Sequence, residues 1–424
     1  MDRALDLETL TDAVRESARL PNPEQLRQLL ADTEIGLFTR QAQIDERVLD
    51  TGWYLQAVAT TRPELDLYEL PRQRRAHQIS GHIFDLALQS SGERATTEQL
   101  RLTFAAQVGY LGGDLTPNAA ALANRAPLPS EPFEWTTPGQ VSLEAGILVL
   151  ALDRPRLHPL LEARREQLSQ FRSNLDEPAM TPYAAVDEVI QGATALTTYL
   201  TRGNTAQLEL ARQSFFNAMR SEAAENDIDS RWVAAHLRRI CNDLGSTSVW
   251  AALPPDLPSV ARAMALGDPP VLRLWPPQLG FLAGDDEEAS PLESDVRRLI
   301  LSFPTSAGKT LLAQILITAH LASTTSGDVC VVAPTHSLCR EVSCGLDRRL
   351  RTLGEQLHIE SPLGIDLPRP ASSRVAVMTP EKLAALLRAN PVDLLDKFAM
   401  FVIDEAHLVA DPSRGWASSI GGCD

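Results

Sequence analysis

The sequence predicts an α/β domain with a parallel sheet over residues 271–424, preceded by a mainly α-helical region. After Pro270, four apolar, strand-like runs alternate with helical patterns, and this alternation is typical of a parallel sheet with helices on both faces. The runs are Arg298–Phe303, Asp328–Ala333, Arg374–Met378 and Phe398–Ile403. Before Pro270, apolar residues recur every three or four positions, which is the spacing of amphipathic helices. The helical patterns include Leu26–Leu30, Leu157–Phe171, Ala184–Leu200, Leu208–Ala223 and Trp232–Ile240.

Two proline clusters suggest the domain boundaries. The first breaks the helical region near its middle, and the second, from Pro254 to Pro270, is typical of a linker. We therefore expect a helical region over 1–126, a second helical region over 139–252, a linker over 253–270 and the α/β domain over 271–424.

Composition restricts the classes of partner. The formal net charge is −16, so nucleic acid could be bound only through a local groove and not through a general positive field. The five cysteines form no zinc-binding pattern, and the N-terminus lacks the basic and apolar regions of a secretory signal. No apolar stretch is long enough to span a membrane. These features predict a cytoplasmic protein with no membrane partner.

The segment Phe303–Thr310 carries the clearest chemical signal. It ends in Gly308, Lys309 and Thr310, between the apolar run Leu299–Leu301, which predicts a buried strand, and a helical pattern. A strand, a tight loop and a helix in this order form a phosphate cradle. The loop residues Thr305, Ser306, Ala307 and Gly308 offer backbone N–H groups, the lysine neutralises phosphates, and the threonine hydroxyl reaches Mg²⁺. Lys309 is one of only three lysines among 39 lysine and arginine residues, which favours a demand for a compact ammonium. The sequence therefore predicts ATP and Mg²⁺ as ligands.

The fourth apolar run ends in Asp404 and Glu405. Carboxylates at the carboxyl end of a parallel strand lie where open α/β sheets bind ligands. We expect Asp404 to organise the Mg²⁺ that Thr310 also contacts, and Glu405 to orient and polarise the attacking water.

These segments resemble the superfamily 2 DEAD/DEAH-box helicases, particularly the branch related to Ski-type and archaeal repair helicases. Phe303–Thr310 resembles motif I, in which the first glycine of the general pattern is dispensable, and Asp404–His407 resembles motif II. Ala333–Leu338 is similar to motif Ia, with His336 where the family usually has arginine, and Thr379–Leu383 is similar to motif Ib.

The resemblance implies a RecA-like motor domain and ATP-dependent nucleic-acid unwinding or translocation. It assigns catalysis to Lys309, Asp404 and Glu405, and coupling to His407. It implies that Pro334, Thr335, Thr379 and Pro380 contact the backbone of single-stranded or duplex nucleic acid, DNA or RNA. Gln278, in a segment similar to the family's adenine-reading segment, is expected to contact the base.

The chain ends soon after His407, before the family's motif III and second RecA-like domain, so we expect a truncated motor with weak ATP binding and poor turnover. Two alternatives remain open. One is a double-strand DNA translocase of a restriction or defence system, which pulls without unwinding. The other is a non-catalytic interaction protein, in which the helical N-terminal region binds a protein partner and the nucleotide-binding lobe is vestigial.

Overall fold

The structure is a computed structural model of the 424-residue chain. It describes residues 23–39, 44–60, 71–90, 96–115, 118–119, 121–122, 137–150, 166, 183–221, 227–268, 270–284, 290–293, 298–302, 308–323, 327–351, 358–360, 373–389 and 391–405. The chain divides into two compact units. Unit 1 comprises Met1–Tyr199 and Asn204–Asn242, and unit 2 comprises Leu200–Gly203 and Asp243–Asp424.

Unit 1 is helical throughout its described part. Its helices are α1 (Pro23–Phe38), α2 (Glu46–Thr60), α3 (Pro71–Gln89), α4 (Thr96–Gly112), α5 (Pro138–Leu150), α6 (Ala184–Arg202), α7 (Thr205–Arg220) and α8 (Ile228–Thr247), of which α6 and α8 end in unit 2. The mainly helical N-terminal region is thus confirmed, with predicted patterns at α1, α6, α7 and α8. The pattern Leu157–Phe171 lies outside the described residues except for residue 166.

The interior of unit 1 combines close helix packing with an aromatic cluster. A Cβ on Gly109 of α4 would lie 2.7 Å from the Cα of Gly81 on α3, so these helices touch through their backbones. The Trp232 ring of α8 packs edge-on against Phe104 at 5.0 Å between centroids. His236, one turn later on α8, is buried beside Trp232. Burial, together with the neighbouring positive charges of Arg239 and His77, lowers the pKa of His236 to about 3.

This buried histidine predicts that unit 1 loses stability in mild acid. His236 binds a proton in the unfolded chain below its ordinary value of 6.5, but in the folded chain only near pH 3. The free energy of unfolding should therefore be constant above pH 6.5 and fall between pH 6.5 and 3, by up to about 1.4 kcal/mol per pH unit. Urea unfolding followed by circular dichroism across this pH range measures the slope. His236→Leu should reduce the slope. Equal slopes in the variant and the unaltered chain would contradict the assignment.

Unit 2 contains a parallel sheet in its described part. Its strands are β1 (Asp328–Val332), β2 (His358–Glu360), β3 (Ser373–Met378) and β4 (Phe398–Ile403), in the order β2-β3-β1-β4. Its helices are α9 (Val249–Ala252), α10 (Pro258–Leu266), α11 (Pro276–Ala283), α12 (Lys309–Ser323), α13 (His336–Leu350), α14 (Pro380–Ala389) and α15 (Pro391–Lys397). Every paired strand runs parallel to its neighbour. The predicted α/β class and the runs at β1, β3 and β4 are confirmed.

Alternate residues of the strands bury opposite faces of this sheet. Val329 and Val331 of β1 pack with residues of α12 and α13, including Ile317 and Leu346. Cys330 and Val332 point to the other face and pack with residues of β3, α14 and α15. Burial on both faces explains why these strands have continuous apolar sequences.

The proline-rich stretch 253–270 differs from the expected linker. It contains helix α10, whose Val260, Ala263 and Met264 are buried in one cluster with Leu312 and Ile315 of α12. The prolines mark the start of a packed helix here, because proline fits the first turn of a helix as well as an extended linker. Among the described residues, no helix is both long and apolar enough to cross a membrane.

The prediction of a strand over Arg298–Phe303 is wrong for its described residues. Residues 298–302 form no strand, and Ile300 is 95% exposed, although the apolar sequence suggested burial. An apolar run becomes a strand only where a neighbour supplies its ladder of hydrogen bonds, and no described strand pairs with this one. On β4, which lies at the edge of the described sheet, Phe401 is 37% exposed and Ile403 is 50% exposed. Strand β2 was not predicted, because three residues are too few for a visible period.

Substitution of Ile300 distinguishes an exposed run from a buried strand. Ile300→Ala should change the stability of unit 2 by no more than about 0.5 kcal/mol, because the side chain is in solvent. Ile315→Ala is the matched control at a fully buried position and should cost about 2–5 kcal/mol. Hydrogen exchange of the β1 amides reports the stability of this unit. A loss at Ile300 as large as that at Ile315 would show that the run is buried.

Candidate nucleotide and nucleic-acid site

The register of the sheet aligns the carboxyl ends of three strands. Val332 of β1 lies opposite Met378 of β3 and Ile403 of β4. The ladder continues one residue further on each side: the Ala333 N–H donates to the Met378 carbonyl at 3.0 Å, and the Asp404 N–H donates to the Val332 carbonyl at 2.9 Å. The segments predicted as motifs Ia, Ib and II therefore leave the sheet side by side.

The phosphate-binding residues begin helix α12. Gly308 has a φ of +78°, in the left-handed region that favours glycine, and its carbonyl accepts the N–H groups of Leu311 and Leu312. Lys309 and Thr310 follow as the first residues of the helix, where backbone N–H groups have no intrahelical acceptor. Helix α12 packs against β1 and β4, the strands that are followed by Ala333 and Asp404. The N-terminus of α12 can therefore receive an anion.

Gln278, predicted to read adenine, lies against this loop. Its Oε1 accepts the N–H of Trp275 at 3.0 Å and so caps helix α11. Its Nε2 occupies the space that a Cβ on Gly308 would need. The side chain is buried, so the structure places Gln278 beside the phosphate loop and commits its acceptor to the helix cap.

Asp404 and Glu405 form a tight turn at the end of β4. The Glu405 N–H donates to Asp404 Oδ1 at 3.0 Å, while Oδ2 takes no hydrogen bond from a described residue. Glu405 has a φ of +51°, a conformation that non-glycine residues adopt at a cost of about 1–2 kcal/mol. Such backbone strain is concentrated at functional sites, where the fold holds a side chain in a required direction.

The two threonines predicted to contact a nucleic-acid strand differ in exposure. Thr335 is exposed at the start of α13, where its hydroxyl oxygen accepts the Leu338 N–H at 3.2 Å and keeps its own proton for donation. Pro334 precedes it and is half-buried. Thr379 is only 5% exposed, and its oxygen accepts the Lys382 N–H of α14 at 3.5 Å. Pro380 is buried as well. The structure therefore exposes Thr335 and buries Thr379, and both threonines cap the helix that follows them.

Several predicted site residues lie outside the described residues: Thr305, Ser306 and Ala307 of the phosphate loop, and His407. Their roles stay predictions.

Arg349 supports the site and was not predicted from sequence. Its buried guanidinium donates from Nε to Gln314 Oε1 of α12 and from Nη1 to the Met264 carbonyl of α10, both at 3.3 Å. Burial lowers the pKa of Arg349 to about 10. The side chain thus ties α13, which begins at the motif Ia segment, to α12, which begins at Lys309. No local pattern reveals it, because its partners lie 35 and 85 residues away in the chain.

The donor set fits Mg²⁺ bound together with phosphates. The described residues contain no cluster of three or more histidine, cysteine or carboxylate side chains that could hold a metal alone. Mg²⁺ is usually held by one or two carboxylates and the phosphates of its nucleotide, with water completing the shell. Asp404, whose Oδ2 takes no hydrogen bond from a described residue, and the hydroxyl of Thr310 suit that arrangement.

Comparison with known proteins agrees with this site. The DEAD/DEAH box helicase family matches residues 286–420, which include the phosphate loop and the Asp404–Glu405 turn but not Gln278. The matched residues lie within unit 2 and are similar to a DEAD/DEAH box helicase domain.

Three relatives illustrate how the similarity is distributed. Hachiman protein HamB of Bacillus cereus is 27% identical over 229 residues, covering 51% of this chain and 20% of that protein. DNA polymerase theta of Mus musculus is 32% identical over 126 residues, covering 28% and 5%. ATP-dependent DNA helicase Hel308 of Aeropyrum pernix is 30% identical over 145 residues, covering 34% and 18%. The chain therefore spans a fifth or less of the length of each of these relatives.

The backbone strain at Glu405 can be measured by comparing two substitutions. Glu405→Gly and Glu405→Ala both remove the carboxylate, but only glycine adopts a φ of +51° freely. Glu405→Gly should therefore be more stable than Glu405→Ala by about 1 kcal/mol. Hydrogen exchange of the β1 amides in both variants gives this difference. At Glu381, which lies in helix α14, the order should be reversed, because alanine is the better helix former. The same order at both positions would exclude strain at Glu405.

Proposed function

We propose that unit 2 binds Mg²⁺–ATP at the carboxyl edge of its sheet and couples ATP hydrolysis to movement along, or unwinding of, DNA. The observation that carries the proposal is the register at that edge. It places the ends of β1, β3 and β4 side by side, with α12 packed against two of these strands. The residues that bind nucleotide and the residues that contact the nucleic-acid strand would then lie on the same edge of one sheet.

Each residue at the edge has a role in this proposal. Lys309 neutralises the outer phosphates, and the first N–H groups of α12, with the loop residues Thr305, Ser306, Ala307 and Gly308, surround them. Thr310 and Asp404 hold Mg²⁺, which neutralises charge on the transferred phosphoryl group. Glu405, held in a fixed direction by its strained backbone, orients and deprotonates the attacking water. Gln278 supports the loop through its contact with Gly308. It also lies in the segment that is similar to the family's adenine-reading segment.

We assign contact with the nucleic-acid strand to the starts of helices α13 and α14. The exposed Thr335 donates its hydroxyl to a backbone phosphate, beside Pro334 and the first N–H groups of α13. The Thr379–Pro380 segment contacts the strand at the start of α14, where the buried Thr379 caps the helix. His407 is proposed to couple the nucleotide site to this surface.

DNA is favoured over RNA by the relatives. Hel308 is named as an ATP-dependent DNA helicase, and polymerase theta as a DNA polymerase. The same two matches support placing the domain in the branch of superfamily 2 related to Ski-type and archaeal repair helicases. The HamB match covers 51% of the chain, more than residues 271–424 occupy, so that similarity extends into the helical part. A double-strand translocase remains the alternative motor.

Substitution of Lys309 tests nucleotide binding. Lys309→Ala should weaken binding of a fluorescent, non-hydrolysable ATP analogue with Mg²⁺ by about 10- to 100-fold, because a charge-assisted contact with phosphate is lost. Arg262→Ala, which removes an exposed cation from α10 of the same unit, is the control and should bind like the unaltered chain. Equal affinity in Lys309→Ala would place the nucleotide elsewhere.

The substrate is tested by ATP turnover of the intact chain with single-stranded DNA or RNA of the same sequence. Stimulation by DNA and not by RNA would support the assignment, and stimulation by RNA alone would contradict it. Displacement of a duplex strand supports unwinding, whereas displacement of only a triplex strand indicates double-strand translocation. Nucleotide binding without stimulation, together with a protein partner retained by Lys309→Ala, would favour a non-catalytic interaction protein.

A further inference from the structure

Helix α7 of unit 1 presents a stripe of arginine and phenylalanine. Arg212, Phe216 and Arg220 are spaced by four residues and therefore share one face of the helix. Arg212 donates from Nη2 to the Cys241 carbonyl of α8 at 3.0 Å, and the Phe216 ring meets Arg238 of α8. The stripe thus follows the seam between the antiparallel helices α7 and α8.

Two guanidinium groups share the half-buried Phe216 ring. The Cζ atoms of Arg220 and Arg238 lie 5.3 Å and 4.7 Å from the ring centroid, within the range of a cation–π interaction. Arg220 is exposed and Arg238 is half-buried. By the triangle that the ring centroid makes with the two Cζ atoms, the cations are at most about 10 Å apart.

Neither cation is neutralised within the part of the chain that the structure describes. Arg220 and Arg238 make no hydrogen bond or ion pair with a described residue, and their contact is with Phe216. Other arginines of this acidic chain form ion pairs with carboxylates: Arg212 with Glu209, Arg47 with Asp45 and Arg351 with Asp347. In a protein of net charge −16, two neighbouring cations that no described carboxylate pairs form a local basic surface.

This combination of groups suits a polyanion with regularly spaced charges. The ring attracts both guanidiniums, but the two like charges repel each other, and a bound anion would relieve that repulsion. The planar guanidinium matches the oxygen geometry of a phosphate, and arginines together with an aromatic ring are the usual composition of surfaces that bind single strands. Two cations this close can contact phosphates of one strand.

We propose that Phe216, Arg220 and Arg238 form a contact surface on unit 1 for the phosphate backbone of single-stranded nucleic acid. The proposal rests on the function proposed for unit 2 in taking nucleic acid as the partner, and it adds a second contact on the helical region. Phe216 positions the guanidiniums, and the guanidiniums bind the phosphates.

The test is binding of a fluorescent single-stranded DNA oligonucleotide to the full chain, measured by anisotropy at several potassium chloride concentrations. Arg220→Gln/Arg238→Gln should weaken binding about tenfold or more at low salt. It should also reduce the slope of log K against log salt by about 1.4, because two phosphate contacts are lost at about 0.7 each. Phe216→Leu should weaken binding without reducing the slope, since both charges remain.

The matched control is Arg47→Gln/Arg351→Gln, which removes the same charge from two exposed arginines that are already paired with carboxylates. Its slope should equal that of the unaltered chain. Arg220→Lys/Arg238→Lys should also keep the slope of log K against log salt, because both positive charges remain. Circular dichroism of the lysine and glutamine variants verifies that both fold.

An unchanged affinity and slope in the glutamine variant, with Lys309-dependent nucleotide binding and DNA-stimulated turnover intact, would overturn this surface and leave the proposed function standing. Absence of DNA binding by the unaltered chain would overturn both. Binding of an acidic peptide in place of DNA, lost in the glutamine variant, would likewise overturn the nucleic-acid assignment.

Discussion

The parallel pairing of β1 with both β3 and β4 is the constraint on which the candidate site depends. Because β1 is central and its Val332 lies opposite both Met378 and Ile403, the three chain segments leave the sheet at one level. The two hydrogen bonds beyond the strands, at Ala333 and Asp404, hold that level one residue further. A register shift of one residue would move the buried side chains of β1 to the opposite face, so the apolar packing on both faces fixes the geometry of the edge.

Local sequence was sufficient where one physical cause determined the outcome. The amphipathic period predicted α6, α7 and α8, and burial on both faces predicted β1, β3 and β4 as continuous apolar runs. The left-handed Gly308 before a helix, and carboxylates after a strand, follow from the chemistry of phosphate and metal binding. These elements carry Gly308, Lys309, Asp404 and Glu405, so much of the candidate site was visible without a structure.

Sequence was insufficient where a distant partner decides the outcome. Leu299–Leu301 has the composition of a strand but no described neighbour to pair with, and α10 sits in a proline-rich stretch because its apolar side packs against α12. Thr379 is buried by its surroundings, whereas Thr335 is exposed, although both threonines precede a helix. The Arg349 contacts join helices that are remote in the chain, and the shared Phe216 ring joins the consecutive helices α7 and α8. Periodicity describes one element at a time and does not report such contacts.

Mg²⁺–ATP is proposed to bind across the ends of α12 and β4. Hydrogen exchange of the intact chain, with and without Mg²⁺ and a non-hydrolysable ATP analogue, tests this claim most directly. We predict slower exchange at Lys309–Leu312 and at Asp404–Glu405, with the α7–α8 seam unchanged. Saturating nucleotide that protects neither segment, or protects only unit 1, would contradict the claim.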